Sequence, residues 1–287
     1  MSILEAIVLG VVQGLTEFLP VSSTAHLRVV PAFFGWEDPG AAYSAVIQTG
    51  TLVAVCLALR TDIAALLRGT LAAALAGRPL STPEARLGWL IVLGTIPIVA
   101  AGLAFKDLIR GEARRLEVVV AALLAATALM AIAELACLAR ARRRGTTGRD
   151  GLERVTAGDG IAMGLAQALA LIPGTSRSGV TISVGMLAGL DRRTAARFSF
   201  LLSLPAVAAA AILEAWQQRS EIMGSGPQAV ALAVGTITAG IVGYAAVRWL
   251  LRMLTGHTLW PFIVYRIGLA ALLAGSLAAG WLPAPAI

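Results

Sequence analysis

The chain has 287 residues, of which 58% are hydrophobic and only 14% charged, with a mean hydropathy of +0.82. A soluble domain carries about 25% charged residues, so the composition excludes a water-soluble globular protein and points to an all-α, polytopic membrane protein. The net charge of +7 rests on arginine, with Lys106 the only lysine. No basic stripe interleaved with aromatics accompanies it, so the excess reads as topology and anionic headgroups, not nucleic-acid binding.

In chain order, the N-terminal "MSILEAIVLG" lacks a basic leader region and carries Glu5, which argues against a cleavable signal peptide. Residues 3–34 are apolar but broken by "EFLPVSSTAH" (17–26). Only 11 residues lie between Glu5 and Glu17, too few to span a bilayer. A helix that enters, breaks and returns fits better, and such backbone is tolerated only when buried in protein or lining a wet cavity. Continuous apolar runs at 43–59, 87–105 and 116–138 predict spans, with 60–86 a loop between the first two. The arginine-rich run "RARRRGTTGRDGLER" (140–154) reads as a solvated linker. A second broken stretch follows at 158–190, then spans at 198–216, 228–247 and 261–282. Cys56 and Cys137 lie inside apolar runs without disulfide or zinc spacing, and read as free, buried thiols.

The two broken stretches resemble each other. "GVVQGLTEFLPVSST" (10–24) aligns with "GLAQALALIPGTSRS" (164–178) with one gap before the proline, matching Pro20 to Pro173 and Ser23 to Ser176. "YSAVIQTG" (43–50) and "LGTI" (93–96) find partners in "FSFLLSLP" (198–205) and "VGTI" (234–237). This predicts a single membrane domain, 1–287, of two repeats, 1–139 and 158–287, joined by the linker 140–157. Each repeat has one hairpin and three crossings. Three is odd, so the repeats are inverted and the hairpin tips can meet at the midplane. Fifteen arginines between 60 and 252 fall on one side, against Lys106, Arg110, Arg114, Arg115 and Arg219 on the other. The positive-inside rule then places both termini outside. Arg28, Arg177 and Arg266 remain inside membrane segments and require partners or a function there.

The chemistry concentrates at the tips. Gln13 and Glu17, four apart, share a helix face, and a carboxylate at membrane depth costs about 2.5–3.5 kcal/mol. Pro20 breaks the helix, and Ser22, Ser23 and Thr24 can cap the next one, whose N-terminus is also an anion site. His26 sits one turn in, either as an acid–base group or as a structural residue. "PGTSRSGVT" (173–181) supplies Gly174, Thr175, Ser176, Ser178, Thr181 and the permanent cation Arg177, which either binds a doubly charged oxyanion or pairs with Glu17. The set suits phosphoryl transfer. Broken helices meeting at the midplane also suit a rival reading, a lipid-phosphate transporter or flippase.

"QGLTEFLPVSSTAH" and "PGTSRSGVT" resemble the two signature segments of the undecaprenyl-diphosphate phosphatase (bacitracin-resistance) family, and "VIQTG" (46–50), "GTIP" (94–97), "ARFSFLLSLPA" (195–206) and "YRIGL" (265–269) extend the likeness along nearly the whole chain. The resemblance implies a bacterial cell-membrane hydrolase that converts a C55 polyprenyl diphosphate to the monophosphate, recycling the lipid carrier of the cell wall, with its site opening outward. It implies catalytic roles for Glu17, Ser23, His26 and Arg177, with Ser23 attacking phosphorus or orienting a water and His26 moving the proton. It implies substrate contacts from Gln13, Ser22, Thr24, Gly174, Ser176, Ser178 and Thr181. A divalent cation, Mg²⁺ or Ca²⁺, is implied at Glu17. Association into a homo-oligomer is left open. Three positions depart from the pattern. Gln13 stands where many members have Glu, Ala25 replaces the Gly before the histidine, and Ser44 stands where many carry Glu.

Overall fold

A computed structural model describes residues 1–37, 40–217 and 226–280. Among these the protein is helical, without strands. Residues 3–34 form two helices, α1 (Ile3–Phe18) and α2 (Ser23–Phe34), and residues 157–187 form α8 (Ala157–Leu169) and α9 (Arg177–Leu187). Both expected breaks are therefore present. Between them run α3 (Gly40–Ala58), α4 (Arg60–Leu75), α5 (Pro83–Ala104), α6 (Lys106–Arg110) and α7 (Leu116–Arg144). After them come α10 (Arg192–Gln217), α11 (Gly226–Met253) and α12 (Trp260–Ala278). Five helices (α5, α7, α10, α11 and α12) are long and apolar enough to cross a bilayer, and α3 with α4 makes a sixth if the pair, bent by 78°, counts as one span. Arg219 lies outside the described residues.

Local chemistry sets the boundaries. Ser2 and Glu5 form a capping box at the start of α1, and Thr156 and Asp159 form one at the start of α8. Glu5, which argued against a leader peptide, is thus a helix cap. α7 ends at Gly145 in the left-handed conformation (φ 68°), with Arg142, Arg143 and Arg144 in its last turn facing the negative end of the helix dipole.

Two expectations change. The segment 60–86 is not merely a loop, because α4 fills most of it. Arg60, Asp62 and Arg68 lower its hydropathy, while its Ala and Leu content favours helix. The linker is also not freely solvated. Arg149 donates to Asp159 Oδ1 (2.8 Å) and the Ala188 carbonyl (2.9 Å), Arg140 donates to the Met186 carbonyl, and Gly151 N–H donates to Thr194 Oγ1. Nearby, Arg192 pairs with the fully buried Glu134, and Arg197 with Asp62 at 2.7 Å. Cys137 is buried and Cys56 half-buried, both free.

Packing crosses the chain. α1 lies on α11, and α8 lies on α5. A Cβ on Gly10 would stand 2.5 Å from the Gly235 carbonyl oxygen, and one on Gly164 would stand 2.6 Å from Gly94 Cα, so small residues let these backbones touch. α2 packs through Ala25 and Val29 against Leu269, Ala270 and Leu273 of α12, while α9 packs on α7.

Candidate active site

The two helix breaks meet. At each, a serine precedes the returning helix with positive φ: Ser22 (φ 75°, ψ 95°) and Ser176 (φ 69°, ψ 105°), the only non-glycine residues so placed among those described. The same spacing along the chain separates Ser2 from Thr156, Glu5 from Asp159, Gln13 from Gln167 and Ser22 from Ser176. The structural match therefore needs no gap, and the sequence pairing of Ser23 with Ser176 gives way to Ser22 with Ser176. The tight backbone lies at Ser22, not before the histidine. Ala25 is an ordinary helical residue with its methyl group buried against α7 and α12.

Glu17, in the last turn of α1, is the hub. Its Oε1 accepts from Arg177 Nη2 at 2.7 Å. Its Oε2 accepts from Ser23 Oγ at 2.8 Å and from Gln13 Nε2 at 3.0 Å. The side chains of Glu17 and Arg177 are 6% and 16% exposed, so the pair is shielded from bulk water. The tips are also joined by Gly174 N–H to Thr24 Oγ1 (3.3 Å) and by Ser178 Oγ to the Leu19 carbonyl (3.2 Å). Gly174 has φ 94°, and a Cβ there would stand 2.4 Å from the Val119 carbonyl oxygen, so no other residue fits.

Arg266, one of the three unexplained membrane cations, is fully buried on α12. It donates to Thr127 Oγ1 (2.8 Å) and to the carbonyls of Leu123 (3.0 Å), Pro20 (3.3 Å), Gly174 (3.3 Å) and Thr175 (3.2 Å). One guanidinium thus gathers the carbonyls of both tips, using donor directions that only arginine provides.

His26 does not reach Ser23 or Glu17. Its Nδ1 is 2.7 Å from the Ser22 carbonyl, and its Nε2 is 2.6 Å from the Tyr265 hydroxyl. A carbonyl only accepts, so Nδ1 carries the hydrogen, and in the neutral ring Nε2 accepts from Tyr265. Tyr265 was not among the expected site residues. Its partner lies 239 positions away, and the only local signal was a polar aromatic beside the intramembrane Arg266.

A cavity of about 200 Å³ sits over the tips, lined by Thr16, Glu17, Ser22, Ser23, Thr24, Ser176 and Arg177, by Gln48 of α3, and by Ile98, Ala170, Leu171, Ala206, Val207 and Ala210. Gln48 was also missed, although it is the longest non-aromatic polar side chain on α3. Ser178 and Thr181 do not line this cavity. Thr181 is fully buried and bonds to the Arg177 carbonyl and to Ser199 Oγ. Ser44 donates to its own helix at the Gly40 carbonyl.

For a divalent cation, the described residues hold no cluster of three His, Cys, Asp or Glu side chains. The oxygens present are those of Glu17, Ser23 and Gln13, whose buried Oε1 has no partner. One carboxylate with an orphaned amide oxygen suits a hard cation whose remaining ligands are water and substrate phosphate.

The sequence profile of the bacitracin resistance protein BacA family matches residues 6–272. The chain belongs to the BacA family. It is 49% identical over 284 residues to an undecaprenyl-diphosphatase of Chlorobium limicola, covering 99% of this chain and 100% of that one. It is 51% identical over 269 residues to one of Chlorobaculum tepidum, covering 93% and 94% of the two chains. The likeness of this BacA-family chain to those proteins thus covers nearly the whole of both sequences.

Proposed function

We propose that the protein is an integral-membrane phosphatase that hydrolyses undecaprenyl diphosphate to undecaprenyl phosphate and inorganic phosphate. The observation that carries this is the convergence of Ser23 and Arg177 on Glu17 in one cavity at the meeting of two helix breaks. The name shared by the relatives favours hydrolysis over carriage of the lipid across the bilayer.

The terminal phosphate displaces the Glu17 carboxylate from Arg177, whose guanidinium then takes its oxygens. The first-turn N–H groups of α2, which the Ser22 side chain does not cap, add to that cradle. Ser23 Oγ attacks phosphorus, its proton passes to Glu17, and the bond from phosphorus to the bridging oxygen breaks to release the prenyl monophosphate. Water then attacks the phosphoserine, releasing phosphate and returning the proton to Ser23. His26 and Tyr265 hold the Ser22 carbonyl, and so the tip, in place. A divalent cation would be held by Glu17 with help from the amide oxygen of Gln13, and would supply positive charge against that developing on the phosphate oxygens. The site opens to the outer side, with both termini outside, as the arginine distribution implies.

Phosphate release by purified protein from the C55 diphosphate, with and without EDTA, tests the activity. A phosphoserine trapped at residue 23 supports the covalent route, and full activity in Ser23→Ala ends it. Lipid translocation without phosphate release would restore the transporter reading.

A further inference from the structure

The cavity has two kinds of wall. The tips and Gln48 supply its polar groups, while Ile98, Leu171, Ala206, Val207 and Ala210 form a continuous apolar side. That side follows the line where α5 and α10 part. The two helices touch at Gly94, where a Cβ would stand 2.8 Å from Leu202 Cδ1. One turn further on, each helix carries an interior proline, Pro97 and Pro205. Each proline removes an intrahelical hydrogen bond and crowds the preceding turn. The residues that follow, Ile98 and Ala206, line the cavity. Past this point the cavity lies between the two helices, lined by Ile98 on one and by Ala206, Val207 and Ala210 on the other, and a Cβ on Gly102 would find only Leu171 within 4 Å. Along α10 exposure rises from Ala206, half-buried, to Ala210, exposed, while at the tips Ser22 is buried and Thr24 exposed. Further on, Val99, Leu103, Ile212 and Leu213 present exposed apolar side chains, as lipid-facing residues do. Toward α3, the crevice bounded by Thr51, Val55 and Ser203 is far narrower, at about 10 Å³.

We propose that the prenyl chain of the substrate leaves the cavity through this gap between α5 and α10, along Ile98, Leu171, Ala206, Val207 and Ala210. The same wall then sets the discrimination between long and short prenyl chains. The proposal rests on the hydrolytic reading and adds the direction of the chain. A diphosphate held by the tips needs an apolar continuation into the bilayer, and this is the wide apolar side that the cavity has. Small side chains at 206 and 210 leave room for a methyl-branched chain.

The test compares the C55 diphosphate with dimethylallyl diphosphate, whose single isoprene unit cannot run the length of the wall into the bilayer. In Ala210→Phe and Ala210→Trp, the ratio of kcat/KM for the long substrate over the short one should fall at least tenfold, chiefly through KM. Val92→Phe, exposed on α5 before the Gly94 contact and outside the cavity lining, should leave the ratio alone. A ratio within twofold of wild type in both Ala210 variants, or an equal change in Val92→Phe, overturns the proposal. A second measurement uses wild-type protein and a farnesyl diphosphate bearing a diazirine on its third isoprene unit. Photolabelling within 98–104 or 205–213 supports the route, and labelling confined to other helices overturns it. If wild type releases phosphate from neither diphosphate, the hydrolytic reading fails, while the photolabel still locates the chain.

Discussion

Glu17 is asked to be two things, the partner of a half-buried arginine and the acceptor for a serine hydroxyl. Both contacts are present together, so the roles separate only by substitution. Glu17→Gln keeps the size of the side chain and removes the proton acceptor. Turnover should fall 10²–10⁴-fold, the range for loss of an acid–base group, read as phosphate release. Adding Arg177→Ala relieves the cation left without its counter-ion. The double variant should therefore recover thermal stability in detergent without recovering activity. Recovered activity would make Arg177 a structural residue only. Arg266 has the opposite character, since it touches carbonyls and no carboxylate. Arg266→Lys cannot satisfy four carbonyls and Thr127 at once. An ammonium has three donors, so at least two of the five acceptors lose their bond, and at about 1 kcal/mol for each the loss is about 2 kcal/mol. A thermal midpoint equal to that of wild type would show that the tips hold together without it.

At the level of elements, the site is built from helix ends. One half-helix ends at Phe18 ahead of Pro20 and the other at Leu169 ahead of Pro173 and Gly174, and each chain turns through a serine with positive φ before the next helix starts. Gly174→Ala tests how tightly this turn is set. The methyl group would meet the Val119 carbonyl and the φ would be strained. Activity should drop more than a hundredfold even if the protein remains folded, judged by phosphate release beside gel filtration. Much of this was legible in the sequence. Pro, Ser, Gly and single charges inside apolar runs mark a broken helix, and the residues at the break are those that converge. The prolines misled the repeat alignment, because the equivalent positions are the serines at the left-handed turn, and φ is not written in a residue type that usually avoids it. Tyr265, Gln48 and the clamp made by Arg266 were not legible as site elements. Their meaning depends on which helix lies opposite, and that is set by packing over more than a hundred residues. α4 was missed because its charges masked a helix-forming composition.

In the whole molecule, each hairpin leans on the other end of the chain. α1 and α2 pack on α11 and α12, while α8 and α9 pack on α5 and α7. Neither side of the linker can therefore complete its own packing. If the chain is cut between Thr146 and Gly148 and only one piece is produced, that piece should be degraded or aggregate. Produced together, the pieces should copurify through a tag on one of them and release phosphate. A stable, monodisperse 1–146 fragment would contradict this interlocked arrangement.

The pairing of Glu17 with Arg177 also sets a schedule for biogenesis. The two residues are 160 positions apart. At about 5–20 residues per second, the ribosome needs roughly ten to thirty seconds to reach the arginine after the glutamate has left it. During that interval the first hairpin holds an uncompensated carboxylate, and α11 and α12 do not yet exist to receive it. The nascent hairpin must wait at the bilayer surface or within the insertion machinery. Messages truncated before codon 177 should thus yield chains whose N-terminal segment never integrates stably, and which membrane proteases clear first.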